Sequence, residues 1–321
     1  KPHRRRSRKP QMGMLVQIDG SHHDWLEGRG PRLVLLSAVD DATSRILSAL
    51  FWPAEDFEGY RRLLQDLVTH HGVPLAIYSD RHSLFFSPKE SDSTNLEQQL
   101  LGQVRPLTQI GRILNELGIE HIPARSPQAK GRIERSYLTL QERLTVELRL
   151  AGASTCEEAN AVLQRFIERY NQKFAVPPAD SESAFRPIPS HLRLDHIFCW
   201  KEYRTLNPGY TLQYKGETYR VVPAKNAPAI PLRSVVEVHH LAEGNLSVAW
   251  RGHIYDLEPI AAGSTKAMKT NTAPPAQRPP IEKADAKPPR RPAPDHPWRK
   301  PWASCRVYSA TSRGESYNTG Q

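Results

Sequence analysis

The apolar run from Val73 to Tyr78 ends abruptly on Ser79-Asp80-Arg81-His82, a carboxylate followed by two potentially cationic side chains. Leu75, Ile77 and Tyr78, bounded upstream by Gly72 and Pro74, predict a short buried strand. A strand that stops on Asp at the rim of a sheet presents that charge to a cleft, where it must be solvated or bound to a cation. Leu15-Val16-Gln17-Ile18-Asp19-Gly20 reads as a second short strand ending on an acid. The stretch Gln128 to Arg135 sets a third acid, Glu134, just inside the first turns of a helix. Three carboxylates delivered by two strand ends and a helix make a candidate site for divalent metal.

The surrounding pattern supplies a scaffold. Residues 14–19, 33–39 and 46–52 read as three strands close in sequence, hence an antiparallel meander. Asp56 caps a helix with Phe57, Tyr60, Leu63, Leu64, Leu67 and Val68 on one face, and Gly72 stops it. That helix returns the chain to the strand at Asp80 as a crossover. Residues 87–105 are polar and aperiodic, an insertion or mobile loop. A helix over Leu107, Ile110, Ile113, Leu114 and Leu117, a strand over 119–122 and an electropositive loop over 123–130 follow. The helix from 131 to about 151 then offers Ile133, Leu138, Leu140, Leu144 and Leu148 for packing, and another starts at Thr155 and ends before Pro177-Pro178. Five alternating runs, 210–214, 218–222, 235–239, 246–250 and 253–257, predict a small barrel.

The predicted fold class is therefore α/β, a mixed sheet with flanking helices, followed by a small all-β barrel and a tail. The predicted division is a basic linker or arm over 1–10, the α/β core with a helical extension over 11–190, the barrel over 191–260, and a disordered tail over 261–321. The tail carries ten prolines and eleven Lys/Arg against four acids. Lys1 to Lys9 holds six Lys/Arg and no apolar residue, so it cannot pack.

A net charge of +10 makes nucleic acid the first candidate partner, against the plain alternative of a soluble basic protein. Cys156, Cys199 and Cys305 are odd in number and far apart, which implies neither a disulfide framework nor a zinc knuckle and fits a reducing cytosol. No apolar run approaches the ~20 residues of a membrane span and no secretory signal is present, so a cytoplasmic, membrane-free location is expected. The sequence opens on Lys1 without Met, which reads as a fragment or trimmed product.

Asp19, Asp80 and Glu134 lie 61 and 54 positions apart, so no local fold forces them together, and solvation at the surface is the default for any one of them. Their combination is more telling. The first strand and the strand after the crossover can lie side by side, with the later helix bringing Glu134 across the cleft. Clustered carboxylates raise one another's pKa unless cations neutralise them. Hard oxygen ligands with open positions select magnesium or manganese. Two such ions ~4 Å apart would activate a nucleophile and stabilise a leaving oxygen in an in-line attack on a phosphodiester.

Gln17-Ile18-Asp19-Gly20-Ser21, Asp40-Asp41-Ala42-Thr43-Ser44, Tyr78 to His82 and Ser126 to Arg135, in this order, resemble the integrase catalytic core of DDE transposases, nearest to bacterial insertion-sequence transposases of the ISNCY type. The resemblance covers about residues 10 to 260. It implies an RNase H-like fold, Asp19, Asp80 and Glu134 as catalytic metal ligands for Mg2+ (Mn2+ as substitute, two ions), and DNA cleavage and strand transfer by a homo-oligomer on DNA. It also implies that the barrel belongs to a DNA-binding domain. Arg125, Lys130, Arg132 and Arg135 around the glutamate are the expected DNA contacts; for Lys130 the alternative is a helix salt bridge.

Three departures stand out. The amino-terminal helix-turn-helix expected of such transposases is absent, the interval from Asp80 to Glu134 is longer than in retroviral relatives, and Leu138 and Gln141 occupy the turns where those relatives carry lysines. Two rival functions follow: an RNase H-like nuclease that cuts without joining, and a DNA-binding protein derived from a transposase.

Overall fold

A computed structural model describes residues 7–80, 83–85, 107–124, 131–223 and 227–260. The readings made above for residues 87–105, for the tail from 261, for Arg125 and Lys130, and for most of the amino-terminal arm lie outside the described residues.

The meander forms as expected. β1 (Val16–His22) pairs antiparallel with β2 (Val34–Asp40), and β2 with β3 (Ile46–Trp52). Every residue of β2 is buried, because it lies inside the sheet with helices on both faces. α1 (Phe57–His71) crosses over to β4 (Ala76–Ser79), which runs parallel to β1, and β5 (Glu120–Pro123) extends the sheet parallel to β4. The order is β3-β2-β1-β4-β5, the RNase H-like mixed sheet.

Period-two alternation divides this sheet between two cores. On one face Val16, Ile18, Leu36, Ala38 and Ile77 pack against Tyr60, Leu63, Leu64, Leu67 and Val68 of α1 and Ile110, Ile113 and Leu114 of α2 (Gln109–Glu116). On the other, Leu35, Val39, Ala49 and Phe51 meet Ile133, Leu140, Leu144 and Leu148 of α3 (Gly131–Leu150) and Ala159, Leu163 and Phe166 of α4 (Cys156–Phe174). Each fully buried Leu or Phe contributes roughly 1.5–3 kcal/mol of transfer free energy. Asp56 accepts from the Gly59 amide at 2.8 Å to cap α1, Gly72 closes it at φ 91°, and a Thr155–Glu158 capping box starts α4.

Four local expectations need correction. β1 does not end on Asp19 but runs on to His22, because β2 pairs with it as far as Val34. Leu75, expected in a buried strand, is 38% exposed and precedes β4. Leu138 is 63% exposed, since it sits one residue off the stripe that α3 turns to the core. The barrel has six strands rather than five.

Those six are β6 (Trp200–Thr205), β7 (Thr211–Tyr214), β8 (Glu217–Val221), β9 (Val235–His240), β10 (Leu246–Trp250) and β11 (His253–Pro259). They form a nearly closed antiparallel sheet in the order β6-β9-β10-β11-β8-β7 around Leu206, Leu212, Val221, Val236, Val238 and Val248. β6 has no apolar alternation, because the only one of its residues that is buried is Lys201. A short helix, α5 (Leu194–Ile197), precedes it, and Ile197 and Phe198 pack into the α1-side core.

Lys201 joins barrel to core. Its carbonyl accepts from Gln109 Nε2 at 2.7 Å and from Arg112 at 3.0 Å. Its Nζ lies 2.5 Å from Glu116 Oε1 on α2 and 3.7 Å from Glu237 Oε1 on β9. Glu237 also bonds His239 Nε2 at 2.7 Å, and His239 Nδ1 lies 3.1 Å from His196 Nδ1.

Candidate active site

The acids of β1 and β4 are brought together by strand register. β4 lies parallel to β1 with Val16 opposite Ile77 and Gln17 opposite Tyr78. Carried two residues further, that register sets Asp19 opposite Asp80, one residue beyond the end of β4. Neighbouring strands are about 4.8 Å apart and residues two apart share a face, so Asp19 lies on the face that carries Gln17, and the same alternation continued past β4 would turn Asp80 to that side.

That face is the α3 face, and three bonds settle it. Gln17 Oε1 accepts from the Ile133 amide at 3.3 Å, the Asp19 carbonyl from Tyr137 Oη at 2.5 Å, and Ser21 Oγ from Gln141 Nε2 at 3.1 Å. Two residues of strand, about 6.6 Å, are matched each time by four residues of helix, about 6 Å, so α3 runs alongside β1 in the same direction. Glu134, Tyr137 and Gln141 fall at i, i+3 and i+7, one helical stripe, and the last two touch β1. Glu134 is the exposed first member of that stripe.

The three carboxylates do not form one compact group: among the described residues, no three His, Cys, Asp or Glu stand together as a metal cluster. Asp19 lies on β1 and Asp80 just past the end of β4, while Glu134 stands exposed on the first turn of α3.

The ground beneath the site is polar and buried. Tyr137 accepts from Ser37 Oγ at 2.8 Å while donating to Asp19, and burial, with the Asp19 charge second, pushes its phenol well above the usual range. His121 on β5 bonds Ser79 Oγ, next to Asp80, at 2.8 Å, and burial lowers its pKa to about 4. The stretch Asp40-Asp41-Ala42-Thr43-Ser44 proves to be a brace. Asp40 accepts from the Gly13 amide and from the Thr43 amide and hydroxyl. Asp41 accepts from Gln17 Nε2 at 2.8 Å and from Arg132 at 2.7 Å.

Arg132, an expected DNA contact, is thus tied to a buried carboxylate, whereas Arg135 is exposed. His22 ends β1 and bonds Glu55 Oε2 at 3.0 Å. Sequence reasoning missed Tyr137, Gln141, Ser37 and Glu55. The spacing of Glu134, Tyr137 and Gln141 was the one available signal for the first two.

The fold is thus an RNase H-like mixed sheet with Asp19 on β1 and Asp80 just past the end of the parallel strand β4. Comparison with known proteins adds the relatives. The chain is 40% identical over 255 residues to y4bF of Sinorhizobium fredii, named as a transposase, covering 78% of this chain and 53% of that protein. It is 32% identical over 258 residues to the transposase for insertion sequence IS1202 of Streptococcus pneumoniae, covering 79% of this chain and 51% of that protein. The chain therefore spans about half the length of the curated relatives it matches. Among solved structures, the catalytic core domain of BIV integrase matches 50% of this chain and 85% of its own at 20% identity and a TM-score of 0.34. No protein-family model matches. Among the described residues, no helix is long and apolar enough to cross a membrane.

Proposed function

We propose that the chain carries the catalytic core of a DNA transposase, a DDE-type polynucleotidyl transferase that cleaves at an element end and joins the exposed 3′-hydroxyl to target DNA. The observation that supports this reading is the parallel β1–β4 register, Val16 opposite Ile77 and Gln17 opposite Tyr78, which continued two residues would pair Asp19 with Asp80, in a chain 40% identical to a protein named as a transposase.

The donor set suits magnesium or manganese. It offers oxygen ligands only, two of them on adjacent strands, with Glu134 on an exposed first turn from which a side chain can swing toward the rim. The chemistry bound ions would supply is activation of the attacking oxygen and stabilisation of the departing 3′ oxygen. Asp19, Asp80 and Glu134 would hold them. Tyr137 fixes the main chain at Asp19, and Gln17 orients the start of α3 above it. Arg125, Lys130, Arg132 and Arg135 would contact DNA phosphates; of the two among the described residues, Arg135 is the exposed one. In the first step water attacks the phosphorus and the 3′ oxygen leaves with a proton. In the second that hydroxyl attacks a target phosphodiester, bonding to the phosphorus as the target's own 3′ oxygen leaves with the proton, so no protein nucleophile is required. Two element ends and a target make an oligomer on DNA the expected working form.

The test is a joining assay with pre-cut element ends, with and without chelator. Magnesium-dependent joined product is expected. Cleavage without joining would instead indicate a nuclease.

A further inference from the structure

The loop between β3 and α1 brings a fourth carboxylate to β1 from the opposite face. A Cβ added at Gly20, the residue beside Asp19, would lie 3.0 Å from the Glu55 carboxyl carbon and from Oε2, and 3.2 Å from Oε1. The carboxylate therefore lies directly against the strand, where a side chain at position 20 would press on it. It is held at both oxygens: Oε1 accepts from Tyr60 Oη at 2.6 Å and Oε2 from His22 Nε2 at 3.0 Å. Its side chain is 14% exposed, and Tyr60 is buried in the α1-side core.

We propose that Glu55 is a positioning residue of the active site, a carboxylate that holds the end of β1 from behind and adds negative charge next to Asp19 without itself ligating the cation. This rests on the metal-dependent reading above. Loop tethering alone would need only a neutral acceptor for Tyr60. What points beyond tethering is place: Glu55 lies against Gly20, next to Asp19, while strand alternation turns the Asp19 side chain to the other face of β1. The two anions thus flank one short stretch of strand from opposite faces, and a divalent cation would relieve their mutual repulsion. Groups just behind metal ligands commonly tune affinity in this way.

The experiment is a manganese titration of the full chain followed by electron paramagnetic resonance, with thermal melting of each variant. Glu55→Gln keeps an acceptor for Tyr60 and removes only the charge; it should melt like the parent and bind Mn2+ about tenfold more weakly. Tyr60→Phe leaves the charge but frees the carboxylate, and should lower the melting temperature with a smaller loss of Mn2+ affinity. Asp19→Asn separates the two claims. If it loses Mn2+ binding while Glu55→Gln binds as tightly as the parent, the role of Glu55 is overturned and the metal site stands. If Asp19→Asn also binds like the parent, both fall.

Discussion

Tyr137 donates its phenolic hydrogen to the main-chain carbonyl of Asp19 at 2.5 Å while accepting one from Ser37 Oγ at 2.8 Å. One buried hydroxyl thus links α3 to β1 at the candidate ligand and to β2 behind it. Tyr137→Phe leaves a carbonyl and a hydroxyl without this partner, at a cost of about 1–3 kcal/mol. Melting should register that loss. Strand transfer should fall by roughly 10- to 100-fold, because small misplacements of reacting groups are expensive. Unchanged joining with lowered melting would reduce Tyr137 to a purely structural role.

Much of this arrangement was legible in the sequence, and for a physical reason. Short strands and amphipathic helices announce themselves by period, so the meander, the α1 crossover and α3 could be read from Val34 to Asp40, from Tyr60 to Val68 and from Ile133 to Leu148. The 61-residue separation of Asp19 and Asp80 became meaningful only once the register equated 16 with 77 and 17 with 78. β6 was hidden because its inward position is Lys201, a charge neutralised by Glu116 from a helix 85 residues earlier, which no local pattern reveals. Glu55 was hidden for a similar reason: its value lies in fitting against Gly20 across the strand.

The barrel–core junction should be sensitive to one lysine. Lys201 is 4% exposed in its side chain and stands between Glu116 and Glu237. Lys201→Met leaves those carboxylates facing each other and should destabilise the chain by roughly 3 kcal/mol, the low end for a buried pair because Glu116 is one-third exposed. Denaturant unfolding measures it directly.

The same junction should loosen in acid. Burial lowers the His196 pKa from the usual 6.5 to about 4, so on acidification the unfolded chain takes up that proton first, and stability falls between about pH 6.5 and 4. The hydrogen bond from His239, aided by Lys201, lowers Glu237 from 4.5 to about 2, so its contribution is present above pH 4.5 and is lost as pH falls toward 2. Melting temperature against pH should therefore decline in two stages, and His196→Asn should shrink the upper one, leaving the share of His121, whose pKa burial also lowers to about 4.

DNA affinity should depend steeply on salt. If the basic excess of +10 reflects a phosphate footprint of six to ten contacts, binding should weaken by roughly 10³ to 10⁵ between 50 and 200 mM salt. Arg135→Ala should weaken binding about equally across sequences and lower the salt slope by about one. Binding that ignores salt would separate the charge excess from DNA engagement.

The most direct test of the central claim is strand transfer of pre-cut element ends by Asp80→Asn beside the parent protein, in magnesium, at a DNA concentration that saturates both. The exchange removes one negative charge from the rim that β1 and β4 form and leaves the basic residues untouched. Joined product from the parent and none from the variant, with DNA binding equal in the two, is the expected result. Joining by Asp80→Asn at a rate near the parent's would contradict the assignment of the Asp19–Asp80 pair as the catalytic centre.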